Sequence, residues 1–166
     1  MRSPALLPAL GPALVAAALA SACATPPLIA GTKVIDNRPN RAIIEVCEKY
    51  RHALEDRDAD ALLAMASPQY FEDSGTPKAD DDYGYDGLKQ IIATRLAALK
   101  SVRYSVQYRN VQFSPSMTHV AVDIRYDASF QLLTELGDRW ERKQSEKRLE
   151  LEFDKDKRIW LFTTGM

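Results

Sequence analysis

The chain has 166 residues, of which 46% are hydrophobic and 27% charged, the balance of a folded protein with one core rather than of a disordered one. Its 22 Lys and Arg stand against 23 Asp and Glu. There is therefore no broad basic field to draw in phosphate backbones, and nucleic acid is excluded as an expected partner.

Met1 and Arg2 precede an apolar stretch from Pro4 to Leu19, which is followed by Ala20, Ser21, Ala22 and Cys23. A short positive start, an apolar middle and small residues before a cut make an export signal over residues 1–22. A permanent transmembrane helix needs about 20 apolar residues, and this run is shorter and broken by Pro4, Pro8, Gly11 and Pro12. The residues before Cys23 resemble the lipobox of bacterial lipoproteins, in which the cysteine receives lipid and becomes the new first residue. The usual Leu three places before the cysteine is Ala20 here, with Leu19 one place early. The resemblance implies a domain outside the cytoplasm, anchored to a bacterial envelope membrane through lipid on Cys23. The competing reading is an ordinary secretory signal followed by a coincidental cysteine. With Cys23 lipidated, Cys47 is the one thiol left of the two cysteines, so no intramolecular disulfide is expected.

Residues 23–40 hold the lipidated cysteine and a stretch rich in turn formers, with a short candidate strand near Lys33 to Ile35. They are expected to be a flexible tether. Its 17 residues beyond Cys23 would span at most about 55–60 Å when extended. The domain proper is expected over 41–166.

From Arg41 to Arg57 the apolar residues Ile43, Val46, Cys47, Tyr50 and Leu54 recur at helical spacing, which predicts an amphipathic helix capped by Asn40. Cys47 on its apolar side reads as core. Asp58 is placed to cap a second, short helix that stops near Ser67, ahead of Pro68. A third helix is predicted from about Gly87 to Leu99, with Asp86 as its cap and Leu88, Ile91, Ile92, Leu96 and Leu99 on one stripe.

After Lys100 the period becomes two. Val102, Tyr104, Val106 and Tyr108 share one face, Val111 and Phe113 have the opposite parity, and a bulge near Asn110 accounts for the slip. The next strand carries Val120, Val122, Ile124, Tyr126, Ala128, Phe130 and Leu132 inward. A third runs from Arg139 to Asp154, its inner half being Leu149, Leu151 and Phe153, and a fourth from Ile159 to Thr164. Trp140 and Trp160 read as core.

Three helices followed by a bent, four-stranded antiparallel meander resemble the cone-shaped domain of the nuclear transport factor two-like superfamily. The resemblance is carried by the Tyr50 to Asp58 corner, the Tyr85-Asp86-Gly87-Leu88 start of the third helix, and the Trp160 to Gly165 end. It implies an α+β fold, with helices packed on a strongly curved sheet around an internal pocket. That superfamily hosts isomerases, dehydratases, polyketide cyclases and binding modules, so the fold does not fix the chemistry.

Ketosteroid-isomerase-like members place a carboxylate base and hydrogen-bond donors inside the cone. On the inward parity of the first two strands the polar candidates are the hydroxyls of Tyr104, Tyr108 and Tyr126. The loop from Ser67 to Asp86 adds Tyr70 and Asp73 as pocket candidates among Glu72, Asp80, Asp81, Asp82, Tyr83 and Tyr85. It is not a calcium loop: counted from Asp80, Tyr85 falls where glycine is needed and Ile91 where the closing glutamate belongs. His52 and His119 lack zinc-ligand spacing, and there is no nucleophile elbow or phosphate-binding glycine loop. No metal and no cofactor are expected. Two functions follow. One is a non-catalytic binding or accessory domain for an apolar small molecule or an envelope protein. The other is an isomerase, dehydratase or cyclase using a loop carboxylate such as Asp73, with Tyr70 or Tyr104 as donor.

Overall fold

In the computed structural model, helix α1 spans Arg38–Asp56. The structure describes residues 26–73, 81–135 and 137–166, so the export segment, Cys23 and the first part of the acidic loop (74–80) lie outside the described residues. The cap of α1 is Asn37, whose side chain accepts the Asn40 N–H at 2.8 Å. Asn40, expected as the cap, is buried in the first turn and donates from its amide to the Ile35 carbonyl at 2.8 Å. The reason is Pro39, which lacks an N–H and is tolerated in a helix only in its first turn. Arg57 ends α1 in the left-handed region, with φ 58°. Asp58 then caps α2 (Ala59–Ala64) by accepting the Ala61 N–H at 2.9 Å, as expected.

Between α2 and α3 the chain makes a two-stranded ladder, β1 (Phe71–Glu72) against β2 (Tyr83–Gly84). Two residues per strand are too few to leave a periodic signal. Helix α3 is Tyr85–Ala97 and begins from Gly84 rather than Asp86. Asp86 instead occupies the first turn, where a carboxylate complements the helix dipole. Leu88 and Ile92 are its buried residues, and Leu99 already belongs to the sheet.

That sheet is an open antiparallel meander of β3 (Leu99–Phe113), β4 (His119–Leu132), β5 (Arg139–Asp154) and β6 (Ile159–Thr164), in that order. The β3 register slips between Tyr108 and Asn110, the bulge anticipated from the change of parity, and such a bulge bends and twists a sheet. Ile43, Cys47 and Tyr50 of α1, Leu62 of α2 and Leu88 of α3 share one core with Val122, Ile124, Leu149, Leu151 and Phe162 of the sheet. A smaller cluster of Leu99, Val102, Tyr104 and Ala128 lies along the first two strands.

An unpaired strand edge is a liability, and the outer strands are covered. Along β3, Glu55 accepts the Tyr104 N–H at 2.9 Å, Arg57 donates to the Leu99 carbonyl at 2.9 Å, and the Lys33 N–H bonds the Tyr108 carbonyl at 2.9 Å. At β6, Phe162 exchanges bonds of 2.8 Å with the Met65 carbonyl and the Ser67 N–H. Lys33 belongs to a small hairpin, with Leu28 bridged to Ile35 and the Asp36 N–H bonded to the Pro27 carbonyl at 2.8 Å. Its Val34 is 2% exposed and joins the core. Part of the stretch expected to be a flexible tether is therefore folded onto the domain, because its few apolar side chains find a place there.

Trp140 departs from expectation. It is 48% exposed, with the Arg103 guanidinium 5.1 Å from its ring centroid, because every β5 residue from Arg139 to Glu146 is exposed. Trp160 lies at the core margin against Phe113 and Phe153.

Candidate functional site

In register with Ile124, which is buried on the inner face of β4, stands Lys147 of β5. It is two residues before Leu149, so it points to the same inner side as Leu149 and Leu151. Its Nζ lies 5.6 Å from the ring centroid of Tyr50 and 5.5 Å from that of Tyr126, and donates to the Tyr50 hydroxyl at 3.4 Å. Among the described residues no carboxylate forms an ion pair with it. Burial pulls its pKa from the usual 10.5 down to about 8, against the opposing pull of the Glu72 carboxylate and with the Lys143 charge adding to the depression. Tyr104 stacks on Tyr126, centroids 5.2 Å apart and planes at 17°, and meets Tyr50 edge-on at 6.5 Å. The Tyr104 hydroxyl is buried and makes no hydrogen bond among the described residues, and burial raises its pKa well above the ordinary phenol value.

Of the pocket candidates, Tyr104 and Tyr126 thus come together, around a lysine and a third tyrosine that sequence reasoning did not select. Tyr108 is occupied elsewhere, donating to Glu48 at 2.7 Å. Tyr70 donates to Glu72 at 3.1 Å and accepts the Met166 N–H at 3.1 Å. Glu72 also accepts from the Gly165 N–H at 2.8 Å and the Thr164 hydroxyl at 3.2 Å, so this pair clamps the chain end. Asp73, directly after β1, is exposed. Cys47 is buried, its thiol pushed up to about 12 by desolvation, the state of an inert core cysteine. His52 and His119 are exposed.

Beside Tyr50 is a half-enclosed cavity of about 100 Å³, lined by Leu54, Leu62, Leu88, Ile91, Ile92, Leu96 and Met166, with Tyr83 and the cation Arg95 also on its wall. A larger groove of about 630 Å³ runs over the β3 edge between Glu48, Arg51 and Glu55 of α1 and Arg103, Asp127 and Arg142 of the sheet. It is wide open. Arg51 is paired with Glu48 at 2.8 Å and Glu55 at 2.6 Å, and Arg142 with Asp127. Most of its charges are already answered by neighbours, whereas the buried Tyr104 hydroxyl has no partner among the described residues.

No protein-family model matches the sequence, and no curated protein matches it either. The fold does match solved structures. A ketosteroid isomerase-like protein from Erwinia carotovora atroseptica superposes with a TM-score of 0.60 at 14% identity, over 77% of this chain and 93% of that one. The hexachlorocyclohexane dehydrochlorinase LinA-type3 from Novosphingobium barchaimii gives 0.55 at 13%, over 75% and 81%. A chain described as a dehydratase of the NTF2-like family, from Streptomyces avermitilis, gives 0.57 at 13%, over 75% and 92%. The likeness is one of fold: three helices on a four-stranded antiparallel sheet in the cone of the nuclear transport factor two-like proteins. These neighbours bear different activities in their names, so chemistry must be argued from this chain's own site.

Proposed function

We propose that this cone is a non-catalytic binding domain for a small, largely apolar molecule, exported and held on a bacterial envelope membrane by lipid on Cys23. The observation that carries the reading is the half-enclosed apolar cavity between the helices and the tyrosine cluster. At about 100 Å³ it falls below the ~300–1,000 Å³ of pockets for drug-sized ligands. The ligand is accordingly small, or inserts only one ring or a short chain. The alternative of a loop carboxylate acting as base draws no support from Asp73, which is exposed. Glu72 is committed to Tyr70 and to two donors of the chain end, Thr164 and Gly165.

Methyl spectra of the labelled protein test this. Titration with benzyl alcohol is expected to shift the methyls of Leu88, Ile92 and Leu96, and filling the cavity by Ile91→Phe to weaken the titration at least about threefold. Unmoved methyls, or undiminished binding in a folded Ile91→Phe, would overturn the reading. For the anchor, incorporation of a palmitate analogue should be lost in Cys23→Ser, and equal labelling of both forms would exclude lipid on that cysteine.

A further inference from the structure

We infer that the molecule bound in the cone carries one anionic oxygen, a carboxylate being the simplest form, which Lys147 and Tyr104 hold between the rings of Tyr50 and Tyr126. This rests on the binding reading above and names the class of ligand. Two independent observations lead to it. The first is a half-buried ammonium on the inner face of the sheet, set against two tyrosine rings and in no ion pair among the described residues. A cation turned inward without a counter-charge is destabilised, which two cation–π contacts and one long hydrogen bond only partly offset. The second is the Tyr104 hydroxyl, buried with no acceptor, in a class of groups that native proteins almost always satisfy.

Both groups are donors in want of an acceptor. An ammonium has three N–H bonds, of which one is directed to Tyr50, and a phenol has one. The Tyr126 ring joins them, stacking on Tyr104 and facing the ammonium. A cationic head would be repelled by Lys147 and by the neighbouring charge of Lys143. A monoanion with an apolar body answers the lysine and the orphan hydroxyl, and Tyr50, which the lysine contacts, lines the cavity that would take that body.

Benzoate and benzyl alcohol, nearly equal in shape and differing in charge, separate this inference from the reading beneath it. Calorimetric or chemical-shift titration at neutral pH should find benzoate bound roughly 10- to 100-fold more tightly, the range expected of a charge-assisted hydrogen bond. Lys147→Met should bring the benzoate affinity down to that of benzyl alcohol, and Tyr104→Phe should weaken benzoate about threefold to tenfold more than it weakens benzyl alcohol. Equal affinity for the two probes would overturn the anion site and leave the binding domain standing. Binding of neither would overturn both. Lys147→Met deletes an unpaired charge and should melt no lower than the parent protein. Should it not fold, Tyr104→Phe decides between the outcomes.

Discussion

The half of β5 from Arg139 to Glu146 and the half from Lys147 to Asp154 both pair with β4, yet only the second reaches the core. In the first half every residue is exposed, while in the second Leu149 and Leu151 are each 1% exposed. Ladder hydrogen bonds alone therefore do not decide burial. The outer half is held by its neighbour and by ion pairs across the outward face, Arg142 with Asp127 and Glu146 with Arg109 at 2.5 Å. The inner half is held by side chains packed under the helices. Lys147 stands at the junction, where the inward positions change from charged to apolar, and that is why a cation comes to lie beside the core.

The sharpest way to break this contrast is to empty the inner half. Leu149→Ala should cost about 2–5 kcal/mol in denaturant unfolding, the range for a buried leucine that leaves a cavity. A loss below about 1 kcal/mol would mean that the inner half is no better packed than the outer. Gly165→Ala tests the seam where the chain end closes against β5. Gly165 has φ +86°, and a Cβ there would lie 2.3 Å from the Arg148 carbonyl oxygen. A loss of about 1–3 kcal/mol is expected, and an unchanged melting temperature would show that the seam yields.

A third prediction concerns the junction. Facing the Lys147 ammonium are Tyr50 and Cys47 of α1, Glu72 of β1, Tyr126 of β4 and Lys143 of β5, with Tyr104 of β3 beyond Tyr126. Because its pKa is lowered in the folded chain, from 10.5 to about 8, the unfolded chain holds more protons between those values. Its contribution to stability therefore rises with pH there. The native penalty is fully present below about pH 8 and is relieved above it. Denaturation midpoints between about pH 8 and about pH 9.5, below the range where tyrosines ionise, should rise in the parent relative to Lys147→Met. Parallel curves would show that the ammonium is solvated. The smallest effect belongs to the outer half: Trp140→Ala, exposed and stacked only under Arg103, should cost under about 1 kcal/mol. A larger loss would place that half within a packed surface.

Most of the framework was legible in the sequence because long amphipathic elements repeat their signal. The 3.6 period of α1, the alternation of β4 and the parity slip near Asn110 each involve many residues. Single-residue decisions were less legible. Asn37 and Asn40 are both good caps, and Pro39 between them settles the choice only if its own position is weighed. The site is half legible. Tyr104 and Tyr126 follow from strand parity, but Lys147 carries no apolar signal, because the inner run of β5 turns apolar only at Leu149, after a stretch of charged residues. The same alternation extended by one step reaches it. Tyr50 reads as core, which it also is.

The docking of the N-terminal hairpin bears on the geometry of the proposed attachment. If Cys23 carries lipid as proposed, then with Pro27 bonded to Asp36 and Val34 seated in the core the span from anchor to folded domain would shorten from 17 residue steps to four. Four residues span at most about 13–14 Å. A domain so held could not roam above the bilayer. The bulged rim of the sheet, where Lys33 meets Tyr108, would ride next to the headgroups, and any molecule entering the cone would have to be taken up within a thin layer over the membrane surface.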